Sequence, residues 1–265
     1  AISCGYLCFM LALYFSKLWV QNPLWKKSNL LFTGLFLGLA VGARPNWVLG
    51  ISLLLFISYR ILSNSSKYFT REKMVLVGWN WVPFFFILFL LGLYNYLRFD
   101  SWTEFGTTYQ LGGFHPKKVA QFSVAAILPG IYFYIWQPIH FNWIFPFFHC
   151  TVSYPWKIPP EYVGIGPIAG IRAIAPFIFI LIIPILLKIK NSFPKFSSLR
   201  FSYFPESIHS FLYCLIITAS LQLILISLKL GVIMRYIIDF VPLFLFVSLV
   251  LWSLIIHNYC RFPRL

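Results

Sequence analysis

Five stretches of the chain are apolar almost without interruption: residues 2–20, 75–97, 173–187, 211–230 and 236–256. Each is near or at the roughly 20 residues that a helix needs to cross the hydrocarbon of a bilayer. None has the strict alternation of a barrel strand, and inside lipid only helices and closed barrels satisfy every backbone group. The pattern predicts an all-α fold, a polytopic transmembrane helical bundle. A further apolar region, residues 30–62, is interrupted at "ARPNW" (43–47), where Pro45 restricts Arg44 and breaks the helix. It predicts a hairpin of two short spans. A weaker apolar segment, residues 119–136, has Pro129 and Gly130 in its middle and predicts a pair of short interfacial or re-entrant helices. That pair falls inside an outer loop region, residues 98–171. The whole chain, 1–265, reads as a single transmembrane helical domain. Its opening, "AISCGYLCFM", enters a span directly with no charged leader, which marks the sequence as a fragment lacking its N-terminal part.

Composition agrees with the pattern. Hydrophobic residues make up 60% of the chain and charged residues only 10%, against roughly 25% in a soluble domain. A soluble globular domain is thereby excluded. The net charge of +15 could point to nucleic acid, but the cations lie between the apolar runs and form no basic helix or aromatic-interleaved patch. Topology accounts for them instead. With Lys17, Lys26 and Lys27 cytoplasmic, so are Arg60, Lys67, Arg71 and Lys73, then Lys188, Lys190, Lys195 and Arg200, then Arg261 and Arg264, thirteen of the 21 Lys and Arg. Residue 1 then faces outward.

Three features rise above this background. In "GLFLGLAVGARPN", Gly34, Gly38 and Gly42 recur every four residues and bare one helix stripe for close packing. Arg44, at the broken outer end of that helix, either binds an anionic group or snorkels to the interface. The second is "YNYLRFDSWTEFGTTYQLGG" (94–113), which gathers Arg98, Asp100, Glu104, Trp102, Phe105, Tyr109 and Gln110, a carboxylate, amide and aromatic mixture suited to sugars. An aromatic belt with a solvated charge cluster is the plainer reading. Asp100 and Glu104 share a helix face if the segment is helical. Third, "MRYIIDF" sets Arg235 and Asp239 four apart, on one helix face, as an ion pair that is structural or marks a cavity. The five cysteines are scattered without a CxxC pair, and the five histidines have no metal-ligand spacing. No Walker loop, GxGxxG or GxSxG motif occurs.

Taken in order, "GLFLGLAVGARPN", "YNYLRFDSWTEFGTTYQL", "FNWIFPFFHCTVSYPW", "PEYVGIGPIAG" and "MRYIIDFVPLFLF" resemble the membrane part of bacterial GT-C glycosyltransferases, the group that includes protein mannosyltransferases and aminoarabinose transferases. The resemblance implies a multi-pass enzyme of the bacterial cytoplasmic (inner) membrane. It would transfer a sugar from a polyprenyl-phosphate donor, on the non-cytoplasmic face, to a lipid, glycan or protein acceptor. Its partners would be membrane lipid and that donor, with no nucleic acid. The family's catalytic acid lies in a first outer loop that has no counterpart here, so the catalytic residue is unknown in this chain, with Asp100 and Glu104 as candidates for acceptor or metal contact. The donor phosphate would meet Arg235 and Arg44, with Asp239 holding the Arg235 guanidinium, and Arg98, Trp102, Tyr109 and Gln110 would line a substrate loop. No metal site is specified, although the chemistry admits a divalent cation. The rival readings are a polytopic transporter or lipid flippase and a non-catalytic membrane subunit.

Overall fold

A computed structural model of the chain describes residues 2–21, 27–63, 70–106, 109, 122–145, 147–150, 153–160, 162, 164–182 and 206–260. It is mostly helical. The chain divides into two compact units, Ala1–Ser123 and Val124–Leu265.

The first unit contains α1 (Ile2–Gln21), α2 (Lys27–Ala43), a 3-10 segment Pro45–Gly50, α3 (Ile51–Ser63) and α4 (Thr70–Phe99). On α1 the buried positions Gly5, Phe9, Ala12, Ser16 and Trp19 follow the three-and-four spacing of one helix face. That face packs on α2, and α2 packs in turn on α4. The hairpin break is local chemistry. Arg44 is extended (φ −152°, ψ 111°), as a residue before proline is driven to be, and Pro45 starts the next turn where no N–H is needed. The glycine stripe meets α4: a Cβ on Gly34 would collide with the Asn80 backbone carbonyl and one on Gly38 would stand 2.8 Å from Ile87 Cβ. Gly42 faces open space. Ser16 Oγ donates back along α1 to the Ala12 carbonyl (2.6 Å), while polar groups tie α4 to α3, Asn80 Nδ2 donating to the Leu54 carbonyl (3.2 Å) and Trp81 Nε1 to Ser58 Oγ (2.8 Å).

In the second unit, a 3-10 turn Val124–Ala126 leads into α5 (Ile127–Ile135). Here the expected helix pair is corrected to one short helix. Pro129 stands third in α5, in the first turn, where its missing N–H costs no hydrogen bond. Gly130 then lets α5 lie directly on the backbone of Ser227, which a Cβ would meet at 2.7 Å. Two strands, β1 (His140–Phe141) and β2 (Phe148–His149), form an antiparallel hairpin, pairing His140 with His149 and Phe141 with Phe148. Strand β3 (Gly164–Ile165) runs parallel to β4 (Gly231–Val232). The expected span 173–187 begins as a four-residue helix α6 (Ile171–Ile174) and continues as a 3-10 segment Pro176–Leu181, because Ala175, ahead of Pro176, leaves the helical region. Residues 183–187 lie outside the described residues. Helix α7 (Glu206–Ser227) buries Phe211, Leu215, Ala219, Gln222 and Ile226 along one face and packs against α5 and α8 (Val241–Cys260).

Among the described residues, four helical stretches are long and apolar enough to cross a membrane: Ile2–Gln21, Pro45–Ser63, Arg71–Phe99 and Ser210–Ser227.

Candidate functional site

In the segment 94–113 the α-helix ends at Phe99. Asp100 then takes φ 51°, the left-handed conformation that ends a helix, and its N–H still reaches the Tyr96 carbonyl (2.9 Å). From Ser101 to Gly106 the chain is irregular, so Asp100 and Glu104 do not share a helix face as the helical reading required. Asp100 is exposed and Glu104 half-buried. What the loop does build is aromatic. Trp102 folds back over Gly92, its ring carbon 2.8 Å from where a Cβ would stand, and stacks on Tyr96 with centroids 5.5 Å apart. Tyr109 stacks on Phe99 at 5.2 Å. Arg98 donates to the Tyr94 hydroxyl (2.9 Å) and lies over the Phe99 ring at 4.9 Å. Trp102 and Tyr109 remain half or more exposed, which leaves ring faces for a flat, hydroxyl-rich ligand. Gln110 lies outside the described residues.

At the break after α2, Arg44 is buried rather than snorkelling to a surface. Its Cγ and the Trp47 Nε1 stand 3.6 and 3.5 Å from the Cβ position of Gly5, so the missing side chain on α1 is what admits both. Trp47 is wholly buried, stacked on Phe9 at 4.0 Å, and its Nε1 finds no acceptor among the described residues. Arg44 and Trp47 thus both pack against α1 beside Gly5, at the helix break.

In the second unit Arg235 and Asp239 do not lie on an α-helix. Met234–Asp239 is a 3-10 segment, and at three residues per turn a four-residue step rotates about a third of a turn instead of returning to the same face. Arg235 is exposed and Asp239 wholly buried. Pro242 explains the change: it belongs to the first turn of α8, and an α-helix running through it would drive its ring into the Ile238 carbonyl. The partner that sequence reasoning missed is Lys229, which follows α7. Its Nζ lies 4.5 Å from the centre of the Tyr236 ring, and the Arg235 guanidinium carbon lies 5.5 Å from the same centre. Nothing in the sequence marked Lys229, because it reaches Tyr236 only once β4 has turned the chain.

Asp239 belongs to a set of wholly buried polar side chains in this unit, with Tyr134, Gln137, Gln222 and Ser227. Neither amide atom of Gln222 has a partner among the described residues. Burial pushes the Tyr134 phenol well above the ordinary tyrosine value; Tyr162 is pushed up too, by burial and then by the neighbouring Tyr154. Both are neutral donors at physiological pH. Among the described residues, no three His, Cys, Asp or Glu side chains converge as a metal ion would need, so no step is assigned to a metal. No protein-family model matches the chain, and no match was found among curated proteins or solved structures.

Proposed function

We propose that the chain is the membrane part of a glycosyltransferase that moves a sugar from a polyprenyl-phosphate donor, on the non-cytoplasmic face, to a lipid, glycan or protein acceptor. In this reading the four long apolar helices are spans of a polytopic protein. The observation that carries it is the pair of cations around Tyr236. Lys229 and Arg235 both lie within 5.5 Å of one ring centre, just past the end of α7, where the phosphate of a membrane-anchored donor would sit.

Arg235 presents a planar fork matched to phosphate oxygens, and Lys229 adds a point charge. Transfer breaks the bond between the sugar's anomeric carbon and the donor phosphate oxygen as the acceptor oxygen attacks, so negative charge grows on the departing phosphate. Fixed cations at that position stabilise the transition state more than the ground state. The attacking acceptor hydroxyl gives up its proton to a general base as the new bond forms.

The test is binding of polyprenyl phosphate to the full chain in nanodiscs. Lys229→Gln and Arg235→Gln should each weaken binding about tenfold, about 1.4 kcal/mol. Lys157→Gln, which removes an exposed cation elsewhere in the same unit, should leave it unchanged. Absence of saturable binding, or equal losses in all three variants, would reject the reading. A transporter draws support from one observation, the unpartnered buried Gln222 in a candidate span. Solute flux through the reconstituted chain that Gln222→Leu abolishes would favour it.

A further inference from the structure

The hairpin β1–β2 ends in a tip that a water-exposed loop does not explain. Trp143, Ile144 and Phe145 are 86%, 72% and 81% exposed, and Phe141, Phe147 and Phe148 on its two arms are also exposed. Large contiguous apolar surface of this kind marks a site of interaction. Hydrogen bonds and ring contacts also tie the described residues of the tip to one another. The Asn142 N–H donates to the Phe147 carbonyl (2.6 Å) and the Phe147 N–H to the Ile144 carbonyl (2.9 Å). Phe141 packs on Trp143 and Phe148, and Phe145 on Phe147, with centroids 5.1, 5.5 and 5.9 Å apart. The turn therefore presents side chains outward while these backbone groups satisfy one another, which is the condition for entering a medium with little water.

We propose that this tip inserts into the interfacial layer of the lipid bilayer as an anchor. Charge favours lipid over a basic protein surface: residues 139–160 contain no Asp or Glu, and their polar groups include His140, His149 and Lys157, which suit anionic head groups. Composition favours the interface in particular, since a Trp with flanking Phe side chains is what the head-group level selects. Geometry supplies the limit of insertion. His140 and His149 are cross-strand partners at the base of the hairpin and form a polar collar behind Trp143, Ile144 and Phe145. A membrane is within reach, because α7 in the same unit contains a candidate span. The inference rests on the membrane reading and is independent of the transfer chemistry.

The test places a single cysteine, on a cysteine-free background of the full chain in anionic liposomes, at Trp143→Cys, Phe145→Cys or Ile217→Cys. Each is labelled with an environment-sensitive fluorophore. Ile217, exposed on α7, is the membrane control. The labels at 143 and 145 should lose about half their emission to nitroxide-bearing lipids, comparable with position 217, and resist iodide, as groups at the interface do. Quenching by iodide at 143 and 145 alone would overturn the anchor and leave the membrane reading standing. Protection from both quenchers would overturn it as well, by showing a protein partner or a second copy over the tip. Failure of the Ile217 label to respond to lipid nitroxides would defeat the membrane reading itself.

Discussion

Gly34 offers the most direct test of how the first unit is held together. Alanine there puts a Cβ into the backbone carbonyl of Asn80, an atom that cannot swing aside as a flexible side-chain end can. Either α2 and α4 separate or both bend. A separation of about 0.5–1 Å forfeits a quarter to a half of each van der Waals contact across the interface, and Phe84 and Ile87 lie along it. Overpacking of this kind costs about 1–3 kcal/mol. Gly42→Ala is the matched control: it makes the same chemical change on the same helix, nothing stands within 4 Å of its new Cβ, and it gains up to about 1 kcal/mol in helix propensity. Subtracting the two variants largely removes the propensity contribution and leaves the collision. Unfolding of the full chain in mixed micelles by titration with denaturing detergent should place Gly34→Ala about 1–3 kcal/mol below Gly42→Ala. Equal stabilities would refute the close approach of α2 and α4.

Other substitutions probe the candidate site. Asp100→Gly should hold or slightly raise thermal stability and Asp100→Val should lower it by about 1–2 kcal/mol, since φ 51° suits glycine and penalises a branched side chain; loss of sugar transfer in a stable Asp100→Gly protein would restore a catalytic role to the carboxylate. Gly92→Val should unseat Trp102 and weaken saturable binding of the lipid-linked sugar more than binding of the bare polyprenyl phosphate, measured side by side; equal losses would separate Trp102 from the sugar. With the Tyr134 and Tyr162 phenols raised on folding, the stability they contribute is complete below the unfolded tyrosine value of about 10 and declines as pH rises above it. Tyr162→Phe should flatten that alkaline loss in a pH-stability profile.

The helical elements were legible wherever side chains alone decide them. Runs such as 75–97 and 211–230 became α4 and α7 with ends displaced by a few residues, and Pro45 set the break beside Arg44 as its ring dictates. Prolines near helix starts were read less well. Pro129 and Pro242 each stand in a first turn, where they begin helices; the segment around Pro129 had been expected to split there, and the pattern around Pro242 to run on as one helix. The site suffered from the same cause. Arg235 and Asp239 share a helix face only at 3.6 residues per turn, and Asp100 and Glu104 only if the helix outlasts Phe99. Lys229 was invisible because its meeting with Tyr236 depends on β4 pairing with a strand far earlier in sequence. Arg44 stood out in the sequence, but its burial depends on the absence of a side chain at Gly5, on another helix.

The contacts of Asn80 and Trp81 bear on how the first unit is assembled. These adjacent residues of α4 reach acceptors on α3 that are four apart, the Leu54 carbonyl and the Ser58 hydroxyl. The surrounding leucine and phenylalanine surfaces are forgiving: for helices that meet in lipid, a slide of one turn, about 5.4 Å, exchanges one oily contact for another at little cost. The two donors do not tolerate that slide, because it strands both where no water can replace their partners. They act as a two-notch key that selects one alignment of α3 on α4. With apolar residues at both positions the two helices would still meet, and the fault would show as a mixture of shifted helix pairs.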